Sequence, residues 1–157
     1  MAASLGSRVD LVLDGGACAA GIESTIVALR DDGSWQVLRP GPITEARVAA
    51  VLGRASGGGA SGAAVEAPGQ LASHYAPGKP VRLDADTATA DEFHIGFGGV
   101  AGDFNLSPAG DCADAAARLY AALHLAARSP RRRVAVAPIP DEGIGVAIND
   151  RLRRAAA

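Results

Sequence analysis

Residues 54–64, RASGGGASGAA, divide the chain most sharply, because after the first arginine they contain only Ala, Ser and Gly. Such a stretch has no side chains with which to build a core, and it is predicted to be a flexible coil. Three prolines stiffen the next part of the sequence, and we predict a linker over 54–80. The linker separates residues 1–53 from residues 81–157, and 157 residues suffice for one ordinary domain or two small ones.

The composition limits the classes of protein that are possible. The apolar fraction is 48% and the aromatic fraction 4%, so a core must consist mainly of Val, Leu, Ile and Ala. A net charge of −2 excludes a global field that recruits nucleic acid or anionic lipid. Cys18 and Cys112 lie in no Cys-x-x-Cys motif and are interpreted as free thiols. Without a signal peptide or an apolar run of membrane-spanning length, we expect a soluble, cytoplasmic protein with no membrane contact.

The first part of the chain is rich in predicted strands. VDLVLDGG (9–16) is an apolar run that ends at Asp-Gly-Gly, and residues 24–38 indicate two strands joined by a hairpin turn. Thr44 is a suitable N-cap for a short helix that ends at Gly53. Three strands and one helix bury little surface, so residues 1–53 are predicted to be the end of a larger domain.

The second part alternates between strand and helix patterns. Strands are predicted at 80–84, 92–98 and 132–139, and helices at 111–128 and 145–156. Asp111 is the natural N-cap of the first of these helices. The alternation predicts a small parallel or mixed sheet flanked by helices, which is an α/β domain.

Three weaker patterns admit two interpretations each. Residues 96–102, GFGGVAG, nearly match a dinucleotide-binding fingerprint, but no helix pattern comes next, so a strand-to-loop turn is favoured. Arg131–Arg133 suit a phosphate or an acidic partner, or form a solvated loop, which is favoured. His94 and His124 have no metal-ligating companion at suitable spacing, so we predict no metal site from them.

Four residues are the main site candidates. Ser24 begins a strand after a glycine-bearing loop, where a hydroxyl can bind a carboxylate or phosphate, although a plain strand start with a solvated Glu23 fits equally well. Arg39 ends a strand and can bind phosphate or pair with an acid. His74 and Tyr75 lie between prolines in the linker and are either an anchor or part of a site.

Several stretches occur together in an order that resembles the long, two-domain threonylcarbamoyl-AMP synthases of the YrdC-related family. They are VDLVLDGG, GIESTIV, LRPGPIT, APGQLASHYAP, NLSP, AARLYAALH and GIGVAINDRLRRAA. The similarity covers residues 9–155, with HYAP and AINDRLRRAA as its most specific parts. It implies the C-terminal end of a YrdC-like α/β domain (1–53), a linker (54–80) and a small Rossmann-like α/β domain (81–157).

The resemblance also implies an activity. Such enzymes are nucleotidyltransferases that condense L-threonine, bicarbonate and ATP into threonylcarbamoyl-AMP, with Mg²⁺ expected in the complete catalytic domain. A partner transferase complex then modifies adenosine 37 of tRNAs, so contact with tRNA is expected to be indirect or weak. By resemblance, Ser24 contacts threonine, Arg39 reaches the nucleotide phosphates, and His74 and Tyr75 fold over the nucleotide as a lid.

The sequence departs from the family pattern in one important respect. The Lys-x-Arg and Ser-x-Asn motifs of the catalytic domain are not found: the only lysine is Lys79, and the two asparagines, Asn105 and Asn149, lack the serine. We therefore expect a fragment that is inactive alone. The alternatives are a non-catalytic module on residues 81–157 that binds a nucleotide or a protein and acts with a separate catalytic domain, and an unfolded gene fragment.

Overall fold

The structure is a computed structural model that describes residues 6–16, 18–53, 66–69 and 75–157. We call residues 6–53 the N-terminal segment and residues 81–157 the α/β unit. The boundaries predicted at residues 53 and 80 remain predictions. Among the described residues, no helix is long and apolar enough to cross a membrane.

The predicted hairpin is present in the N-terminal segment. Strands β1 (Ile26–Leu29) and β2 (Trp35–Arg39) pair antiparallel. The turn between them is closed by a hydrogen bond from the Gly33 amide to the Arg30 carbonyl, and Gly33 has a φ of 80°. The sequence DDGS therefore forms a turn because it places glycine where the backbone needs a positive φ.

The strand predicted over residues 9–16 is wrong. A 3₁₀ turn covers Gly6–Arg8, and residues 9–16 are irregular, with Leu11 77% exposed and Leu13 85% exposed. A strand requires a neighbour for its backbone groups, and the sheet of β1 and β2 contains no third strand among the described residues. The apolar run is present in the sequence, but without a described partner it is not a strand.

Helix α1 (Glu45–Leu52) has both predicted caps. The Thr44 hydroxyl accepts a hydrogen bond from the Arg47 amide, and Gly53 ends the helix with a φ of 70°. None of the helix's residues is buried. Its local sequence therefore explains where it begins and ends, whereas packing contributes little.

The α/β unit contains a four-stranded parallel sheet, which confirms the prediction from the alternating pattern. The strands are β3 (Val81–Arg82), β4 (Glu92–Gly96), β5 (Phe104–Asn105) and β6 (Arg133–Val136), in the order β3-β6-β4-β5. Strand β5 is not among the strands predicted from the sequence. It has only two residues, so it produces no alternation that a sequence pattern could reveal.

Two helices cover the core of this unit. Helix α2 (Cys112–Arg128) begins at Asp111, whose carboxylate accepts from the amides of Ala113 and Asp114, as the predicted N-cap should. Helix α3 (Gly145–Ala156) has the predicted bounds. Leu119, Ile148 and Ile95 are fully buried in one apolar cluster, and each contributes about 2–3 kcal/mol of hydrophobic free energy.

The glycine-rich stretch at residues 96–102 is a turn, as favoured from the sequence. It connects β4 to β5, and the next helix begins only at Cys112. A side chain on Gly96 would overlap the Val100 carbonyl oxygen, and one on Gly102 would approach the His94 carbonyl oxygen. The glycines therefore permit close backbone packing within the turn, and no helix opens on them to bind a dinucleotide.

The N-terminal segment packs directly on α2. Gly21 has a φ of 65°, and a Cβ added there would overlap the Ala117 backbone. The next residue, Ile22, belongs to the apolar cluster of the α/β unit. This close approach fixes the position of residues 23–25, which include two of the residues that form the site.

Candidate functional site

The structure brings Ser24 and Arg39 together. Ser24 precedes β1 and is exposed, and Arg39 is the last residue of β2 and only 9% exposed. The Arg39 guanidinium donates from Nε to the Ser24 carbonyl (3.1 Å) and from Nη2 to Ser24 Oγ (3.3 Å). The antiparallel register explains this meeting, because it pairs the end of β2 with the start of β1.

Arg39 has no acidic partner among the described residues, which form six ion pairs elsewhere. Its remaining hydrogen bond goes from Nη1 to the Pro68 carbonyl at 3.4 Å. A buried cation is unfavourable unless an anion or hydrogen bonds compensate it. The three hydrogen bonds of Arg39 supply part of this compensation, and among the described residues the interpretation of Arg39 as a structural ion pair finds no acidic partner.

Gly69 and Tyr75 from the predicted linker lie beside Arg39. A Cβ added to Gly69, which has a φ of 85°, would come within 3.0 Å of Arg39 Cδ and 3.5 Å of Tyr75 Oη. Tyr75 itself adopts a φ of 65°, which is uncommon for a residue other than glycine. His74 lies outside the described residues, so its predicted role stays a prediction.

A cluster that the sequence did not reveal surrounds Glu23; we call it the Glu23 cluster, and it contains Glu23, Tyr75, Tyr120 and Arg151. The Glu23 carboxylate accepts from Tyr75 Oη (2.7 Å), Tyr120 Oη (2.7 Å) and Arg151 Nε (3.1 Å). The two tyrosine rings are 5.3 Å apart, centroid to centroid. Glu23 is thus not the solvated residue of the alternative interpretation, and it joins the N-terminal segment to both helices of the α/β unit.

The electrostatics of the cluster result from these hydrogen bonds. Burial raises the pKa of Glu23, but hydrogen bonds from Tyr120, Tyr75 and Arg151 outweigh burial and lower the pKa to about 2. Burial and the Glu23 carboxylate together raise the pKa of Tyr75 and of Tyr120. At neutral pH the cluster therefore holds one carboxylate, two neutral phenols and one guanidinium.

Arg151 is the least exposed member, at 0%. Its Nη1 donates to the Pro40 carbonyl (2.8 Å) and to Asp150 (2.8 Å), whereas Nη2 is buried without a hydrogen-bond partner among the described residues. One feature of the sequence could have identified Arg151 as a buried, paired residue. Arg151 interrupts the buried face of α3, between Ile148 and Leu152, and a charge within an apolar stripe indicates a buried pair.

The other candidates behave as structural or surface residues. His94 Nε2 lies 2.9 Å from the Ala85 carbonyl oxygen, and His124 is exposed. Arg131–Arg133 are exposed, as favoured from the sequence, and both cysteines are free. Within the described residues no group of three or more His, Cys, Asp or Glu could hold a metal ion. The Mg²⁺ that the resemblance implies for the complete catalytic domain stays a prediction.

Fold and site together define an α/β protein with an arginine–serine pair at the end of a hairpin. The family model described as "Threonylcarbamoyl-AMP synthase, C-terminal domain" matches residues 43–157, and one described as "Telomere recombination" matches residues 1–41. The chain therefore belongs to the threonylcarbamoyl-AMP synthase C-terminal domain family, which confirms the resemblance. The alternative of a separate regulatory module is not favoured.

Individual relatives agree with this assignment. The chain is 29% identical over 178 residues to the threonylcarbamoyl-AMP synthase of Bacillus subtilis, covering 99% of this chain and 51% of the relative. The crystal structure of P. abyssi Sua5 complexed with L-threonine superposes with a TM-score of 0.78 at 22% identity, over 99% of this chain and 52% of that chain. The second comparison shows a shared fold. The chain spans about half the length of either relative.

Proposed function

We propose that this chain supplies part of the site of a threonylcarbamoyl-AMP synthase, which condenses L-threonine, bicarbonate and ATP and releases pyrophosphate. The observation that supports it best is the Arg39–Ser24 pair. An exposed hydroxyl, backed by a buried guanidinium without an acidic partner among the described residues, is suited to a carboxylate or a phosphate.

The reaction places specific demands on such a pair. The carbamate formed from the threonine amine attacks the α-phosphate of ATP, and negative charge develops on the phosphate oxygens as pyrophosphate leaves. Catalysis of this kind consists mainly of positioning and charge stabilisation. In the proposal, Ser24 binds threonine, and Arg39 stabilises the phosphates. A relative was crystallised with L-threonine, which supports the choice of amino acid.

The proposed lid role of His74 and Tyr75 is supported by the position of Tyr75. Its hydroxyl lies next to Gly69, which contacts Arg39. A lid at this point would exclude water from an adenylate that hydrolyses easily. The product is proposed to pass to a tRNA-modifying threonylcarbamoyl transferase.

A binding titration tests the role of the pair. We expect L-threonine or ATP to shift the NMR signals of Ser24 and Arg39 saturably, with dissociation constants of order 1 mM for this half of the site. Arg39→Gln should weaken the ATP response at least about tenfold, because a charge-assisted hydrogen bond is lost. The matched control is Arg47→Gln, on the exposed face of α1. If neither ligand perturbs these signals, the proposal is wrong.

Pyrophosphate release tests the expectation that the chain is inactive alone. With ATP, L-threonine and bicarbonate, we expect no turnover by the 157-residue protein, because its sequence contains neither Lys-x-Arg nor Ser-x-Asn. The B. subtilis relative serves as the positive control. Robust release by the isolated chain would contradict this part of the proposal.

A further inference from the structure

Arg151 touches the neighbours of both proposed site residues. It contacts Glu23, which precedes Ser24, through Nε (3.1 Å), and it contacts Pro40, which comes after Arg39, through Nη1 (2.8 Å). One guanidinium on α3 thus bridges the two backbone segments that hold the arginine–serine pair. It makes no hydrogen bond to either Ser24 or Arg39 among the described residues.

Stability alone does not account for an arginine at this position. Replacing a buried ion pair by apolar side chains of similar volume is often neutral or stabilising, because removing two charges from water costs more than their attraction returns. The neighbours of Arg151 on the buried face of α3 are apolar, and one of its own nitrogens is buried without a partner in the part of the chain that the structure describes. Arg151 is thus a charged residue on an apolar face, and it hydrogen-bonds to Glu23, to Pro40 and to Asp150 on its own helix.

We propose that Arg151 is a positioning residue that holds the Glu23–Ser24 and Arg39–Pro40 segments at the separation at which Arg39 meets Ser24. The proposal rests on the proposed function of that pair. Through Glu23, Arg151 also orients Tyr75, whose hydroxyl shares the same carboxylate. Helix α3 therefore contributes to the geometry of the site without reaching a substrate.

The experiment measures hydrogen exchange of the Arg39 Nε–H by NMR in the unmodified chain and in variants. Arg151→Met should accelerate this exchange at least about tenfold, because the bond from Nε to the Ser24 carbonyl is no longer held in place. Arg153→Met, on the exposed face of the same helix, is the matched control and should leave the rate unchanged. An unchanged rate in Arg151→Met overturns the proposal.

A second variant is needed in case Arg151→Met fails to fold, which circular dichroism and thermal unfolding would show. Glu23→Gln keeps one acceptor oxygen, replaces the other by an NH₂ donor, and removes the charge that Arg151 binds. We expect a smaller acceleration, about threefold to tenfold, and no acceleration overturns the proposal. The ligand titrations separate the two proposals. If L-threonine and ATP cause no shifts while exchange still depends on Arg151, the function is wrong and the positioning role stands.

Discussion

In the α/β unit, Leu119 and Ile148 are fully buried in one apolar cluster, whereas in the N-terminal segment Leu29 is 68% exposed and Val51 84% exposed. Apolar residues of β1 and α1 line an open cavity of about 400 Å³. The two regions have similar turn and cap chemistry, so local sequence is not what distinguishes them. From the difference we expect the N-terminal segment to depend for its tertiary stability on packing against α2 at Gly21 and Ile22.

The largest effect should come from the core of the α/β unit. Leu119→Ala removes a fully buried side chain of α2, and we expect the free energy of unfolding to fall by about 2–5 kcal/mol. Urea denaturation followed by circular dichroism measures it. If the N-terminal segment depends on α2, its hairpin amides should also exchange faster, and unchanged hairpin exchange would contradict the comparison.

The next effect concerns the junction of the two regions. Gly21→Ala meets both a positive φ and the Ala117 backbone, so we expect a loss of about 2–3 kcal/mol. Gly53→Ala is the matched control, because its φ is also positive but the surrounding space is open. It should cost about 1 kcal/mol. Equal losses in thermal unfolding would mean that the close packing at Gly21 contributes nothing.

The Glu23 cluster should make the same junction sensitive to acid. Because the pKa of Glu23 falls from 4.5 to about 2 on folding, its contribution is present above pH 4.5 and is lost between pH 4.5 and about 2. The shift corresponds to at most about 3 kcal/mol, and since a third of the side chain is exposed we expect about 1–2 kcal/mol.

The measurement compares unfolding free energies of the unmodified chain and of Glu23→Gln at pH 7 and pH 3. The difference between the two proteins should shrink on acidification, whereas exposed Glu142→Gln should show no such change. A constant difference at both pH values would show that the Glu23 carboxylate does not stabilise the junction.

The smallest effect is expected on the open face of the N-terminal segment. Val51 is 84% exposed, so Val51→Ala should change the free energy of unfolding by less than about 0.5 kcal/mol. A loss comparable to that of Leu119→Ala would show that this face is covered in solution. The contrast in burial between the N-terminal segment and the α/β unit would then be wrong.

The features that the sequence predicts correctly are those that depend on residues close together along the chain. Asp111 and Gly53 mark helix ends through their own backbone and side-chain chemistry, and the alternating pattern determines the parallel sheet. The strand prediction for residues 9–16 is wrong because an apolar run does not specify a strand partner. Strand β5 is not predicted because a strand of two residues is too short to show an alternating pattern.

The residues of the candidate site also differ in how far the sequence predicts them. Ser24 and Arg39 are proposed as site residues from the resemblance and from their places at strand ends, and the hairpin register then explains their proximity. The link between Glu23 and Arg151 spans 128 positions of sequence. Neither residue lies in a local motif that predicts this pairing. Only the position of Arg151 within the apolar face of α3 indicates that it has a buried partner.

The Glu23 cluster also has a consequence for optical spectroscopy. Tyr75 and Tyr120 are the only two tyrosines of the chain, and both donate to the same carboxylate, while the single tryptophan, Trp35, lies in β2. All phenol absorbance therefore originates where the N-terminal segment, the predicted linker and α2 meet, and all indole fluorescence originates in the hairpin. Without any label, the protein carries one chromophore type for the junction and another for the hairpin.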